Sequence, residues 1–294
     1  MKKVLVIVGP TSVGKTSFGV RCAKTFNGEI ISGDSIQIYK GLDIGSAKVK
    51  EEEKEGIKHH LIDIKEANES YSVKEFQEKG RELIDEITNN NKLPIVVGGT
   101  GLYIKALLYD YHFFEEEEKD DQFKELTNEE IYSLLEKEDP ASLLNIHVNN
   151  RKRLVRALNV VRKNGVGISS IKEEQEHKPI YDIKLIGLTK DREILKEDIN
   201  TRVDQMIKDG LLEEVESLLN KGITFSNQSM QAIGYKEFKD YFENSKPIEE
   251  VIEEIKSNTR HFAKRQYTWF NNQMDIEWFV NKDEAIESIR KWYE

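Results

Sequence analysis

Lys3-Val4-Leu5-Val6-Ile7-Val8-Gly9-Pro10-Thr11-Ser12-Val13-Gly14-Lys15-Thr16 is the stretch that decides the fold. The run up to Val8 predicts a strand buried on both faces, and Gly9-Pro10 ends it. From Gly14 to Phe26 apolar residues return at helical spacing, so the order is strand, loop, helix. The loop fits the phosphate-loop pattern, two glycines bracketing four residues and followed by Lys and Thr, in which successive backbone N–H groups curl around an anion. Gly9, Pro10, Thr11, Ser12, Val13, Gly14, Lys15 and Thr16 are therefore expected to bind a diphosphate. Lys15 adds a positive point charge, the following helix aims its N-terminus at the same spot, and the Thr16 hydroxyl is placed to join the shell of a Mg2+ ion bridging two phosphates. The pattern specifies a diphosphate but not what happens to it.

Working outward, Glu29–Ser32 reads as a second strand, His60–Ile64 as a third, Val73–Thr88 as an amphipathic helix and Pro94–Val97 as another buried strand. Alternating strands and helices predict an α/β fold, a P-loop-type parallel sheet core flanked by helices with ligands gathered at the carboxyl ends of the strands. After Tyr111 the character changes to an acidic run, Glu115 to Asp121, read as solvated linker, and then to helices near Asn128–Glu136 and Asn149–Lys163. A strand over Asp182–Leu188 and helices over Asp191–Lys221, Ser229–Phe242 and Pro247–Asn271 resume the sheet. The expected organisation is a catalytic core of residues 1–111 plus 179–294, with 112–178 as an inserted all-helical domain.

The 294 residues are 38% hydrophobic and 33% charged, the composition of a globular chain with a heavily solvated surface. No apolar run approaches a membrane span and the N-terminus leads straight into a strand, so a cytoplasmic protein without membrane contact is expected; nothing in the sequence suggests an obligate dimer, and a monomer is expected. One cysteine, Cys22, excludes an internal disulfide or a cysteine-rich zinc module and reads as a buried small residue. His59, His60 and His147 lack metal-ligand spacing and read as structural. A net charge of -10 means that any RNA surface must be local.

Asp34-Ser35-Ile36-Gln37-Ile38-Tyr39 follows the second strand on the same rim as the phosphate loop, where a lone Asp is ordinarily a cap or turn residue. The Pro94–Val97 strand ends in Gly98-Gly99-Thr100-Gly101-Leu102-Tyr103, without the carboxylate that P-loop nucleotide hydrolases place there for magnesium. These segments, with Arg153-Leu154-Val155-Arg156-Ala157-Leu158, Arg202-Val203-x-x-Met206, Gln231-Ala232-Ile233-Gly234-Tyr235 and Lys264-Arg265-Gln266-x-Thr268-Trp269-Phe270, resemble the tRNA dimethylallyltransferase family, also called tRNA isopentenyltransferases. The likeness spans nearly the whole chain.

The resemblance implies that the loop, with Arg202, holds dimethylallyl diphosphate and that the acceptor is N6 of adenine 37 beside the tRNA anticodon. An exocyclic amine conjugated into its ring is a poor nucleophile, so a carboxylate accepting its proton as the C–N bond forms lowers the barrier. Asp34 resembles that base, while Lys15 and Thr100 would stabilise the departing diphosphate. The tRNA anticodon stem-loop would be bound by Asp34, Ser35, Ile36, Gln37, Thr100, Lys152, Arg153, Leu154, Val155, Arg156, Gln231, Gly234, Tyr235, Lys264, Arg265 and Gln266. On charge pattern alone the basic stretch Arg151–Lys163 and the cluster Arg260, Lys264, Arg265 read as solvated helix faces; the resemblance turns both into RNA contacts. Three positions depart from the family pattern: Asp198 where Arg is usual, Asn271 where Arg is common, and Asn150 in place of Asp. Two rival readings stand beside this one, a P-loop small-molecule kinase using ATP and a non-catalytic RNA-binding module.

Overall fold

The computed structural model describes residues 1–111, 113, 123–165, 167 and 178–294; the acidic run Glu115–Asp121 lies outside the described residues. In chain order the elements are β1 (Lys3–Val8), α1 (Lys15–Thr25), β2 (Gly28–Ser32), α2 (Glu51–Lys54), β3 (His59–His60), α3 (Val73–Asn89), β4 (Leu93–Val97), α4 (Gly101–Leu108), α5 (Asn128–Glu138), α6 (Arg151–Asn164), β5 (Asp182–Leu188), α7 (Arg192–Lys208), α8 (Leu211–Asn220), α9 (Lys239–Asn244), α10 (Ile248–Gln273), β6 (Glu277–Phe279) and α11 (Lys282–Tyr293). The chain divides into two compact units, Met1–Leu108 with Pro179–Glu294, and Tyr109–Lys178.

In the larger unit the six strands form one sheet in the order β3-β2-β4-β1-β5-β6, every pairing parallel. With the apolar β1 central, Val6 stands opposite Val96 on one side and Leu185 on the other. Parallel pairing forces each connection to cross a face of the sheet, which is why helices alternate with strands in the sequence. The pleat sends Leu5, Ile7, Ile30, Ile95 and Ile186 to a core shared with Phe18, Val20 and Cys22 of α1 and Ala285, Ile286 and Ile289 of α11. Burial pushes the Cys22 thiol up to about 12, an inert apolar filler as its setting predicts.

Several sequence expectations need correction. The third strand is only His59–His60, because Leu61 and Asp63 take left-handed backbone (φ 60° and 54°) that no ladder accommodates. The long helix expected over Asp191–Lys221 breaks into α7 and α8 at Gly210, whose φ of 101° is a helix-ending conformation. Ser229–Phe242 is not a helix: two 3-10 turns precede α9, since Ala232 is extended and Gly234 sits at φ 95°. Strand β6 and helix α11 were not expected at all.

The smaller unit is helical. Thr127 and Glu130 form a capping box at the start of α5. Asn150 caps α6 by accepting from Arg153 N, a role Asn fills as well as Asp, so that departure is structurally neutral. Ile131, Leu135, Leu154, Val155, Ala157, Leu158 and Val161 form its core. Among the described residues no helix is long and apolar enough to cross a membrane.

Candidate active site

The phosphate loop leaves β1 at Gly9, where a side chain would run into the Leu188 carbonyl. It enters α1 through Gly14 at φ 84°, a left-handed position that suits glycine. Helix α1 has neither a side-chain cap nor an acidic residue in its first turn, so its leading N–H groups have no counter-charge from their own helix. Ser12 is held at φ 66° with its buried Oγ unpartnered among the described residues. Lys15 Nζ turns back to donate to Gly9 O (2.9 Å) and Pro10 O (2.7 Å). Burial, together with the Arg202 guanidinium and opposed by Asp34, pulls its pKa down to about 7.

Thr11, Ser12, Gly14, Lys15, Thr16 and Arg202 line a cavity of about 140 Å3, floored by Ile30, Ser32, His59 and Val97. Gly9 and Pro10 supply carbonyls to Lys15, whereas the Val13 side chain belongs to the core and only its backbone remains for an anion. A second cavity of about 460 Å3 is lined by Ser35, Ile36, Thr100, Gln231, Gly234 and Arg265, and shares Thr11, Asp34, Ser46, Arg202 and Phe262 with the first. Asp34 therefore borders both. Its Oδ1 accepts from Ile36 N (2.8 Å) and Gln37 N (3.4 Å), the turn-forming role a lone Asp suggests, while Oδ2 accepts nothing among the described residues. Thr100 Oγ1 donates to Ser35 Oγ at 3.4 Å on the same wall. Burial lowers the Arg202 pKa, with Asp34 and then Glu53 acting against it.

Other expected contacts fall elsewhere. Gln37 lines the first cavity, and its amide is engaged with Ser32 Oγ and the Ser46 and Ala47 carbonyls. Gln266 is buried; it accepts from Thr11 N and donates to Gly99 O, both at 3.0 Å, tying the phosphate loop to the loop after β4. Tyr235 is fully buried and donates to Glu214 Oε1 (2.7 Å). Glu214 also accepts from the Asp43, Ile44 and Gly45 amides, which makes it the brace of the 43–45 turn. Lys264 is exposed and borders neither cavity.

In the smaller unit Leu154 and Val155 are core residues and cannot offer side chains to RNA, while Lys152, Arg153 and Arg156 are exposed. Arg151 is structural, bonded to Leu126 O and Phe123 O. Asp198 pairs with Lys190 (2.7 Å), which also donates to Ser12 O, so this acid tethers a lysine to the phosphate loop. Sequence reasoning missed Glu214, Lys190 and Ser46. Glu214 lies some 170 residues from the amides it holds, and nothing in its own surroundings signals that partnership.

Fold and site together define a P-loop-type α/β protein in which an anion cavity and a larger cavity share a carboxylate-bearing wall. Residues 37–273 match the family model described as IPP transferase. A tRNA dimethylallyltransferase of Bacillus anthracis is 50% identical over all of this chain and 96% of its own. Among solved structures, a tRNA delta(2)-isopentenylpyrophosphate transferase from Staphylococcus epidermidis is 42% identical with a TM-score of 0.74, covering 99% of each chain. A eukaryotic dimethylallyltransferase acting on tRNA is 31% identical with a TM-score of 0.81, covering 95% of this chain and 74% of that one. The chain belongs to the IPP transferase family, the tRNA dimethylallyltransferases.

Proposed function

We propose that this chain transfers a dimethylallyl group from dimethylallyl diphosphate to N6 of adenine 37 of tRNA, acting as a cytoplasmic monomer. The observation that carries the reading is the shared wall: Asp34 borders both the phosphate cavity and the larger cavity. A donor held by the loop and a base entering from the other side would meet beside a carboxylate with one oxygen that accepts nothing among the described residues. N6 attacks the allylic carbon, the C–N bond forms as the C–O bond to diphosphate breaks, and the N6 proton passes to Asp34. Lys15, Arg202, the uncapped amides of α1 and Thr100 stabilise the charge that develops on diphosphate.

Thr16 borders the cavity, and its hydroxyl makes no hydrogen bond among the described residues, so it would be available to hold a Mg2+ ion. When bound, the ion would neutralise leaving-group charge. A stacked adenine cannot reach a recessed carboxylate, so the anticodon loop must extrude its base, with Arg265, which lies over the Phe262 ring, as a plane for it to meet. The exposed basic face of α6, Lys152, Arg153 and Arg156, offers phosphate contacts.

Incubation with Mg2+, unmodified tRNA and isotopically labelled dimethylallyl diphosphate, followed by nucleoside analysis, tests this directly. Label at N6 of one adenosine is the expected product. Unlabelled tRNA accompanied by ATP hydrolysis would sink the proposal and restore the kinase reading.

A further inference from the structure

Lys190 borders neither cavity, yet its ammonium is bonded to the phosphate loop. It follows β5 and donates to Ser12 O at 3.2 Å and to Asp198 Oδ2, on α7, at 2.7 Å. Asp198 is one of the positions at which this chain departs from the family pattern, with an acid in place of a cation. The surroundings explain what the acid is for. Lys282 Nζ lies 2.8 Å from where a side chain on Gly14 would begin, and burial, then Lys190, then Arg21 lower its pKa. Arg21 has a carboxylate of its own, Asp283 at 2.5 Å, so Asp198 is the counter-charge that keeps Lys190 against the loop despite Lys282.

What the contact fixes is the direction of one peptide group. The Ser12–Val13 bond is trans, so its carbonyl and its N–H point in opposite directions. With Ser12 O drawn out to Lys190, the Val13 N–H is turned to the other side of the loop, where it has no acceptor among the described residues. Ser12 and Gly14, its neighbours on either side, both line the phosphate cavity. The preceding peptide obeys the same rule: Pro10 O accepts from Lys15, and the Thr11 N–H turns away to Gln266. Nothing local secures the Ser12 carbonyl. It accepts no backbone N–H among the described residues, and Ser12 itself is held at φ 66°, a conformation that side chains disfavour.

We infer that Lys190, kept in place by Asp198, is a positioning residue for the donor: it orients the Ser12–Val13 peptide so that the Val13 N–H is presented to the diphosphate. The identity of that donor rests on the transferase reading; the orientation does not. The consequence runs against simple charge counting. Removing the Asp198 carboxylate takes a negative charge away from an anion site, which by Coulomb attraction alone tightens binding, whereas loss of the tether frees the peptide and loosens it.

Calorimetric titration of the full chain with inorganic diphosphate, and with dimethylallyl diphosphate, both with Mg2+, tests the sign. Asp198→Leu should raise both dissociation constants about three- to tenfold, and Lys190→Met about ten- to thirtyfold, as one hydrogen bond to a charged ligand is made less often. Lys190→Arg keeps a charged donor and should recover most of the affinity. A label then asks whether Val13 is the group presented. Carbonyl-13C serine with 15N valine marks only the amides of Val13 and Val73, the two valines that follow a serine. Diphosphate should move the Val13 amide proton downfield, while Val73, at the start of α3, stays fixed and reports an intact fold in each variant. Tighter or unchanged binding in Asp198→Leu, or a Val13 amide that does not respond to diphosphate, overturns the inference. Inorganic diphosphate needs no tRNA, so the expected pattern in a chain that labels no adenosine supports the positioning role and defeats the transferase reading alone.

Discussion

The two cavities share a wall but are built in opposite ways. The phosphate cavity takes its loop backbone and Lys15 from one continuous stretch, Thr11 to Thr16, with Arg202 added from α7 and Asp34 from the shared wall. The larger cavity is assembled from short pieces, around Ser35, Gly45, Thr100, Met206, Gly234 and Thr259, none of which makes a recognisable site alone. The braces differ as well. Gln266 and Lys190 hold the phosphate loop, while Glu214 and Tyr235 hold the 43–45 turn. A compact anion is served by backbone amides that local geometry can present; a flat base and its flanking nucleotides need a surface drawn from distant segments.

Asp34, on the wall between them, should act on chemistry more than on either binding event. Asp34→Ala is expected to lower the single-turnover rate by about a hundred- to ten-thousandfold, with donor affinity within about threefold of wild type. A near-normal rate in rapid-quench experiments would remove Asp34 from the role of base. Loss of donor binding in proportion to rate would instead make it a structural part of the loop.

Gln266→Leu should separate the braces. It leaves the Thr11 N–H and the Gly99 carbonyl without the partner each has at 3.0 Å. The buried Gly99 carbonyl left unpaired costs about 1–3 kcal/mol, whereas the part-buried Thr11 N–H can turn to water in the cavity, so unfolding free energy should fall by roughly 1–3 kcal/mol in denaturant titrations, with a higher donor KM. Tyr235→Phe removes one bond to Glu214 while three backbone amides continue to hold that carboxylate. Its expected cost is about 1 kcal/mol, seen as a roughly fivefold higher tRNA KM with the donor KM unchanged. Should both substitutions shift both KM values equally, the two cavities would be one mechanical unit and the contrast between them would fail.

The same contrast explains what the sequence revealed. Gly9 to Thr16 was legible because a strand, a glycine turn and a helix start are all local signals, and the alternation from β1 to β4 followed from periodicity. Gln266 and Tyr235 lie in family-like motifs that point to RNA; in the structure both are buried and bonded to other parts of the chain, which local sequence does not signal. Leu154 and Val155 are the opposite case, since helical spacing alone already places them on the apolar stripe of α6. The break at Gly210 was readable from Asp209-Gly210, a helix-ending pair whose signal the flanking periodicity masked.

Lys15 gives the subtlest expected effect. With no anion bound its pKa lies near 7, against an ordinary 10.5, chiefly because the ammonium is buried and faces Arg202. At pH 8 Lys15 in the free site is therefore mostly neutral. A diphosphate beside Nζ favours the charged form and raises the pKa, so binding must draw a proton from solution. Uptake should approach one proton at pH 8 to 9 and vanish below about pH 6, where Lys15 is already charged. Calorimetric titration of the donor in buffers of different ionisation enthalpy measures this number directly. Lys15→Arg, whose guanidinium stays protonated throughout this range, should abolish the uptake while retaining a cation. Filling the larger cavity with an anticodon stem-loop alone should leave it untouched, because Lys15 borders only the phosphate cavity. Proton uptake on stem-loop binding would show instead that the shared wall transmits charge from one cavity to the other.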